Sequence, residues 1–254
     1  MELAEIFNEA NVVVFLLLYF RFAALFIAVP IFSHNNIPMS VKATMAFFFT
    51  VVFYASVPPL SIALNIPTII IAILSEFMLG LIVGIALQLA YNVITFAGGQ
   101  ISYMMGFSLA SAIDPQSGVS MPIISQFLSL LALMTLFALH LDHWMLLFID
   151  KSLHAIPLGG FLMSKDIFHY IVHATSNMFA VGFVIAFPII ALSWLADTIF
   201  GMLMKTMPQF NLLVIGFPIK IMVAFAVLIA TLTAIMLILK GQVQDAFNAL
   251  EMLF

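Results

Sequence analysis

Two residues of opposite charge, Arg21 and Glu76, lie well inside long apolar runs of the chain. A charge at the centre of a bilayer costs ~2.5–3.5 kcal/mol on insertion scales, so such residues turn toward protein or water. Opposite signs invite a pair. Such a pair either relays a proton or ion, or locks one helix to another or to a partner subunit. Glu76 is followed by Gly80 and Gly84. That four-residue spacing places all three on one helix face, and small residues there let a second backbone approach closely. His140, Asp142 and His143 form the other group able to do chemistry. Two imidazoles beside a carboxylate are the beginnings of a metal site or an acid–base pair. Two nitrogens fall below the usual three or four ligands, however, and polar residues ending an apolar helix belong at the water interface. Lys220, early in its own apolar run, is expected to snorkel to that interface.

The elements that must position these residues are membrane helices. Of 254 residues, 65% are hydrophobic and 7% charged, against about 25% charged in an ordinary soluble domain. Seven basic and eleven acidic side chains cannot clothe a chain of this length in water. The expected fold class is therefore all-α, an integral membrane helical protein. The chain has no cysteine, which removes disulfides, thiolate metal sites and cysteine nucleophiles. A net charge of −4 with a single arginine provides no basic patch for nucleic acid. A Gly-rich Lys-Ser/Thr phosphate loop is absent, so no Walker-type ATP site is expected. Glu2, Glu5 and Glu9 precede the first apolar run. A secretory signal begins with positive charge, so the first helix is expected to stay in the mature protein.

Six runs approach or exceed the ~20 apolar residues a spanning helix needs: Asn11–Ile31, Ala43–Val57, Thr68–Tyr91, Pro122–Ile149, Tyr170–Leu195 and Leu212–Leu239. The second is short enough to be re-entrant or interfacial. A weaker stretch, Val93–Ala112, carries Gly98-Gly99 and Gly106 and reads as a broken or partly buried helix. Asp150 to His169, the least apolar region, reads as a loop. Pro30, Pro188 and Pro218 fall inside or beside apolar runs. Each frees a backbone carbonyl that lipid cannot satisfy, so protein or water must cover it. Short-loop lysines do not orient the chain: Lys151, Lys165 and Lys240 oppose Lys42 and Lys205, a bias too small to set a topology.

Two turns stand out. Asp114-Pro115-Gln116-Ser117-Gly118 interrupts apolar surroundings, with Met104-Met105-Gly106-Phe107 before it and Met121-Pro122 after it. Irregular backbone at membrane depth survives only in a protein interior or along a cavity. The loop therefore lines a path, closes one, or is an exposed turn between two helices. Pro208-Gln209-Phe210-Asn211 links the last two runs. Its amides are suited to cover freed carbonyls or to contact another subunit.

Taken in order, these residues resemble the FliR family of type III secretion export-gate proteins, whose injectisome members are called SctT or SpaR. The resemblance begins with Arg21, Pro30, Ile37-Pro38 and Lys42, and continues through Glu76, Gly80, Gly84, Gly98-Gly99-Gln100-Ile101 and Met105-Gly106-Phe107-Ser108. It runs on through Asp114-Pro115-Gln116-Ser117-Gly118, His143, Ser152 and Pro157. It closes on Asp197, Gly201, Pro208-Gln209-Phe210-Asn211 and Gly216-Phe217-Pro218-Ile219-Lys220-Ile221.

The resemblance implies curled helical hairpins, with a FliP-like part at 1–160 fused to a FliQ-like hairpin at 165–254. It implies a non-catalytic core subunit, without cofactor or metal, in the bacterial inner membrane at the flagellar basal body. The implied partners are FliP and FliQ in one complex, FlhA and FlhB of the export apparatus, and unfolded flagellar proteins as cargo. Residues 106–119 would plug the pore, with Met105, Gly106, Phe107, Ile113, Asp114 and Pro115 in that role. Arg21, Glu76, Gly80, Gly84, Pro208, Gln209 and Asn211 are the expected assembly contacts. Two departures are visible: Asp142 stands where many relatives have glycine, and the plug region has fewer aromatics than some. The rival readings are a small-molecule or ion transporter working through Arg21 and Glu76, and an intramembrane enzyme built on His140, Asp142 and His143. The first would be expected to show repeated halves, which the sequence does not display.

Overall fold

The computed structural model of the chain describes residues 8–33, 37–58, 65–107, 122–207 and 211–253. Within them the chain is helical, in the order α1 (Glu9–Ala28), α2 (Pro30–Ser33), α3 (Met39–Phe53), α4 (Ile66–Met104), α5 (Ile123–Ala138), α6 (Leu141–Ala155), α7 (Lys165–Thr206) and α8 (Phe217–Leu253). A short 3-10 turn (Tyr54–Ser56) follows α3, and a π-turn (Leu212–Gly216) precedes α8. Five helical stretches are long and apolar enough to cross a membrane: Glu9–Ala28, Met39–Ser56, Ile66–Met104, Lys165–Thr206 and Val214–Leu253. Helices α5 and α6 make a sixth if their bent pair counts as one span. The protein is an all-α integral membrane protein.

Proline sets the first boundary. Val29, held before Pro30, is extended at φ −69° and ψ 135°, as steric conflict with a following proline ring requires. That ends α1 at Ala28, and Pro30 then opens α2, where a missing N–H costs nothing.

Three expectations from the apolar runs are corrected. Thr68–Tyr91 and the Val93–Ala112 stretch, expected to be broken or partly buried, join as far as Met104 in one 39-residue helix, partly buried and unbroken. Gly98-Gly99 does not break it, because Gly98 serves packing: a Cβ there would stand 2.6 Å from the Ser125 Cα. Pro122–Ile149 is not one straight run. Its two helices meet at 60°, at His140, whose backbone is left-handed (φ 54°, ψ 43°). The loop expected over Asp150 to His169 is confined to residues 156–164, since α6 continues to Ala155 and α7 begins at Lys165.

The residues group into two compact units, and α4, α7 and α8 each contribute to both. Unit 1 comprises 1–90, 136–174 and 243–254, and unit 2 comprises 91–135 and 175–242. In unit 1, Leu17, Leu18, Phe22 and Leu25 of α1 and Leu79, Val83 and Leu87 of α4 are buried. Phe22 packs on Phe26, Phe49 and Phe53 at centroid distances of 6.4, 6.0 and 5.5 Å. Unit 2 buries Ile94, Ala97 and Ile101 of α4, Leu128 and Ala132 of α5, Ile189 of α7 and Ala224 and Leu228 of α8. The exposed surface is also rich in large apolar side chains, Phe47, Phe48, Ile71 and Phe187 among them. Such a surface suits lipid or partner helices and not water.

Helix α4 has 39 residues, α7 has 42 and α8 has 37. At ~1.5 Å per residue each is well over 50 Å long, against a hydrocarbon core of ~30 Å. Each therefore extends well beyond what a single perpendicular crossing requires.

Candidate functional site

Arg21 and Glu76 meet inside unit 1. Gly80 and Gly84, one and two turns beyond Glu76, let α1 and α4 pack closely. A Cβ on Gly80 would clash with the Arg21 carbonyl oxygen and stand 2.9 Å from the Ala24 Cβ. One on Gly84 would collide with Ala28. With the backbones this close, the Arg21 Nε donates to Glu76 Oε2 and Nη2 donates to Oε1 at 3.1 Å, a two-pronged arrangement among the strongest of ionic contacts. Arg21 Nη1 also donates to Ser152 Oγ at 3.2 Å, and Nη2 to the Ile156 carbonyl at 3.4 Å.

Glu76 Oε1 further accepts the backbone N–H of Gly159 at 2.7 Å. Gly159 lies at φ 77°, a region that favours glycine. Arg21 is 1% and Glu76 0% exposed. A transported ion or proton would need a carboxylate lone pair that faces water or substrate. Glu76 instead turns its oxygens to Arg21 and Gly159, so the arrangement holds α1, α4, α6 and the following loop together. These contacts are all within the chain, including those of Gly80 and Gly84.

The second expected site begins where α4 ends, in unit 2. The Gly106 N–H bonds the Tyr103 carbonyl at 3.1 Å, and the Phe107 N–H bonds the Ser102 carbonyl at 3.2 Å. With Gly106 at φ 88°, this is a Schellman stop, which closes a helix on a left-handed glycine. Met105 is fully buried. A Cβ on Gly106 would stand 3.0 Å from the Phe217 ring, and Phe107 meets Phe225 edge-on at 6.3 Å. The root of the loop is thus seated against the start of α8. Ile113, Asp114 and Pro115 lie outside the described residues.

Lys220 does not snorkel, and that expectation is corrected. It is 8% exposed and donates to both Asp197 carboxylate oxygens at 2.8 Å. The pair joins α7 to α8, as does Asn177 Nδ2 donating to Gln242 Oε1 at 2.7 Å. Both pairings centre on the same turn. Asn211 Oδ1 accepts the Val214 N–H at 3.3 Å, steadying the π-turn, while Pro208 and Gln209 lie outside the described residues.

His140, Asp142 and His143 are exposed at the bend between α5 and α6. Among the described residues no three metal-ligating side chains come together. Sequence reasoning missed Ser152, Gly159 and Asp197 as partners. Pro157-Leu158-Gly159-Gly160 signalled a turn, and Asp197 and Lys220 are nearly equidistant from Pro208-Gln209.

Comparison with known proteins agrees with this framework. The family model for bacterial export proteins, family 1, matches residues 12–246. The flagellar biosynthetic protein FliR of Bacillus subtilis is 31% identical over 231 residues, covering 89% of each chain. That of Escherichia coli is 27% identical over 230 residues, 91% of this chain and 88% of its own. That of Aquifex aeolicus is 22% identical over 252 residues, 97% and 96% of the two chains. The match spans the glycine-packed ion pair, the loop and the terminal hairpin as far as residue 246, and the chain belongs to the bacterial export proteins, family 1, the FliR family.

Proposed function

We propose that the chain is a non-catalytic core subunit of the flagellar type III protein export gate in the bacterial inner membrane. In this reading it assembles with FliP and FliQ into the entrance through which unfolded flagellar proteins leave the cytoplasm, with FlhA and FlhB as the neighbouring export components. The observation that carries the reading is the family match from residue 12 to residue 246, supported by the flagellar biosynthetic relatives of Bacillus subtilis and Escherichia coli. The FliP-like part would be 1–160 and the FliQ-like hairpin 165–254. These name likenesses to partner proteins and are separate from the two compact units.

The mechanism is gating. Residues 106–119 close the channel by apolar packing at rest and move aside when cargo engages. The rooted start of that loop supports this reading, because a plug must return to one place. The buried Arg21–Glu76 pair, with Gly80 and Gly84, serves assembly by fixing the form of unit 1. Pro208, Gln209 and Asn211 present the end of the hairpin to a neighbouring subunit. Removal of residues 109–117 tests the gate. Cells carrying the shortened chain in an otherwise complete apparatus should leak small ions, and unchanged permeability would overturn the plug.

A further inference from the structure

Pro188 sits inside α7 on its exposed face. Having no N–H, it leaves the Val184 carbonyl, one turn earlier, without its helical donor. Val184 is 66% exposed, and it lines a groove of about 350 Å³ in unit 2 whose other walls include Gln100, Met104, Phe183, Phe187 and Trp194. Gln100 is half-buried on α4, and its amide has no hydrogen-bond partner among the described residues. The groove therefore has apolar walls, one unused amide, and a lining residue whose backbone carbonyl has lost its helical donor.

Lipid tails fill apolar grooves but offer neither donor nor acceptor, and a backbone carbonyl at membrane depth must be covered. Gly99, adjacent to Gln100 in sequence though not itself a wall of the groove, leaves its own flank of α4 open. A Cβ there would meet nothing within 4 Å, as at Gly201 and Gly241, whereas Gly80, Gly84, Gly98 and Gly182 are each filled by this chain's own helices. A small residue with open space beside it is what a second helix requires for close approach.

The geometry points to this groove as the docking site for an apolar membrane helix of a second protein. That helix places a serine, threonine, asparagine or glutamine between the Val184 carbonyl and the Gln100 amide. The inference rests on the reading that the chain works within a hetero-oligomeric complex, and it assigns one surface to that assembly. Side chains of those four types are the ones that bridge membrane helices by hydrogen bonds.

The test places a benzophenone amino acid at Val184 in the full chain, expressed with its genomic neighbours, and irradiates intact membranes. The expected adduct is with a second membrane protein, mapped by mass spectrometry to an apolar helix within one turn of such a polar residue. Gln100→Leu and Pro188→Ala should each lower its yield about threefold or more, as loss of one interhelical hydrogen bond implies. Neither variant threatens the fold. Leucine is a good helix former, and alanine at 188 restores the N–H that the Val184 carbonyl lacks. The same probe at Met222, also exposed in unit 2, should be unaffected by both. Adducts only with phospholipid or with a second copy of this chain would overturn the inference, as would a yield indifferent to both variants. If the hetero-complex copurifies intact while Val184 labels only lipid, the groove fails and the complex reading stands. A chain extracted without any partner would overturn both.

Discussion

The Gly159 backbone N–H donates at 2.7 Å to the same Glu76 oxygen that receives Arg21 Nη2. A loop glycine in a left-handed conformation thus completes an ion pair shared by two apolar helices. The loop after α6 is fastened to α1 and α4 through that one carboxylate.

Arg21→Ala or Glu76→Ala should each destabilise the protein by about 3–5 kcal/mol, because either leaves a buried charge without its partner. An apolar double variant, Arg21→Met with Glu76→Leu, should recover most of that loss. Thermal unfolding of the detergent-extracted protein measures all three. Additive single effects would mean that the two residues are not coupled.

Gly159→Ala should cost about 1–2 kcal/mol, the ordinary penalty of a left-handed backbone for a residue with a Cβ. Gly80→Val should cost at least as much, since its side chain must displace the α1 backbone. Gly201→Ala, where a Cβ meets nothing within 4 Å, should be neutral or slightly stabilising. The order of the three melting temperatures checks the packing directly.

The Lys220–Asp197 pair should respond unequally. Asp197→Asn leaves an ammonium that is only 8% exposed, whereas Lys220→Met leaves a carboxylate that is 55% exposed and already open to its surroundings. The first should cost about 2 kcal/mol, within the range for hydrogen bonds to charged groups, and the second less. Equal losses would contradict the burial asymmetry.

Gly106→Val should unseat the loop. Its φ of 88° is strained for a β-branched residue, and its methyl groups must press on Phe217, which already stands 3.0 Å from a Cβ there. The expected result is raised ion permeability in cells with an otherwise complete apparatus. Sodium or proton flux into de-energised vesicles measures it.

How far these features were legible in the sequence depended on how many partners each had to choose from. Arg21 and Glu76 could be paired because an apolar run offers a charge few alternatives. Gly80 and Gly84 followed from helical spacing alone. The bend at His140 was invisible, since neither glycine nor proline marks it and apolar residues run through on both sides. Gly98-Gly99 misled because glycine serves close packing as readily as it breaks a helix, and only the position of Ser125 decides between the two. Lys220 was misread for want of the hairpin register, which brings Asp197 opposite it. Asp142, for all its promise beside two histidines, sits in the first turn of α6, where a carboxylate complements the helix dipole. The plug residues Ile113, Asp114 and Pro115 stand on the family resemblance.

Whether this chain works as one subunit of a fixed hetero-complex is decided by native mass spectrometry of the detergent-extracted protein, co-expressed with its genomic neighbours. The expected result is a single large complex that holds one copy of this chain and several copies of two small helical membrane proteins. A monomer, or a dimer of this chain alone, would rule out the hetero-complex.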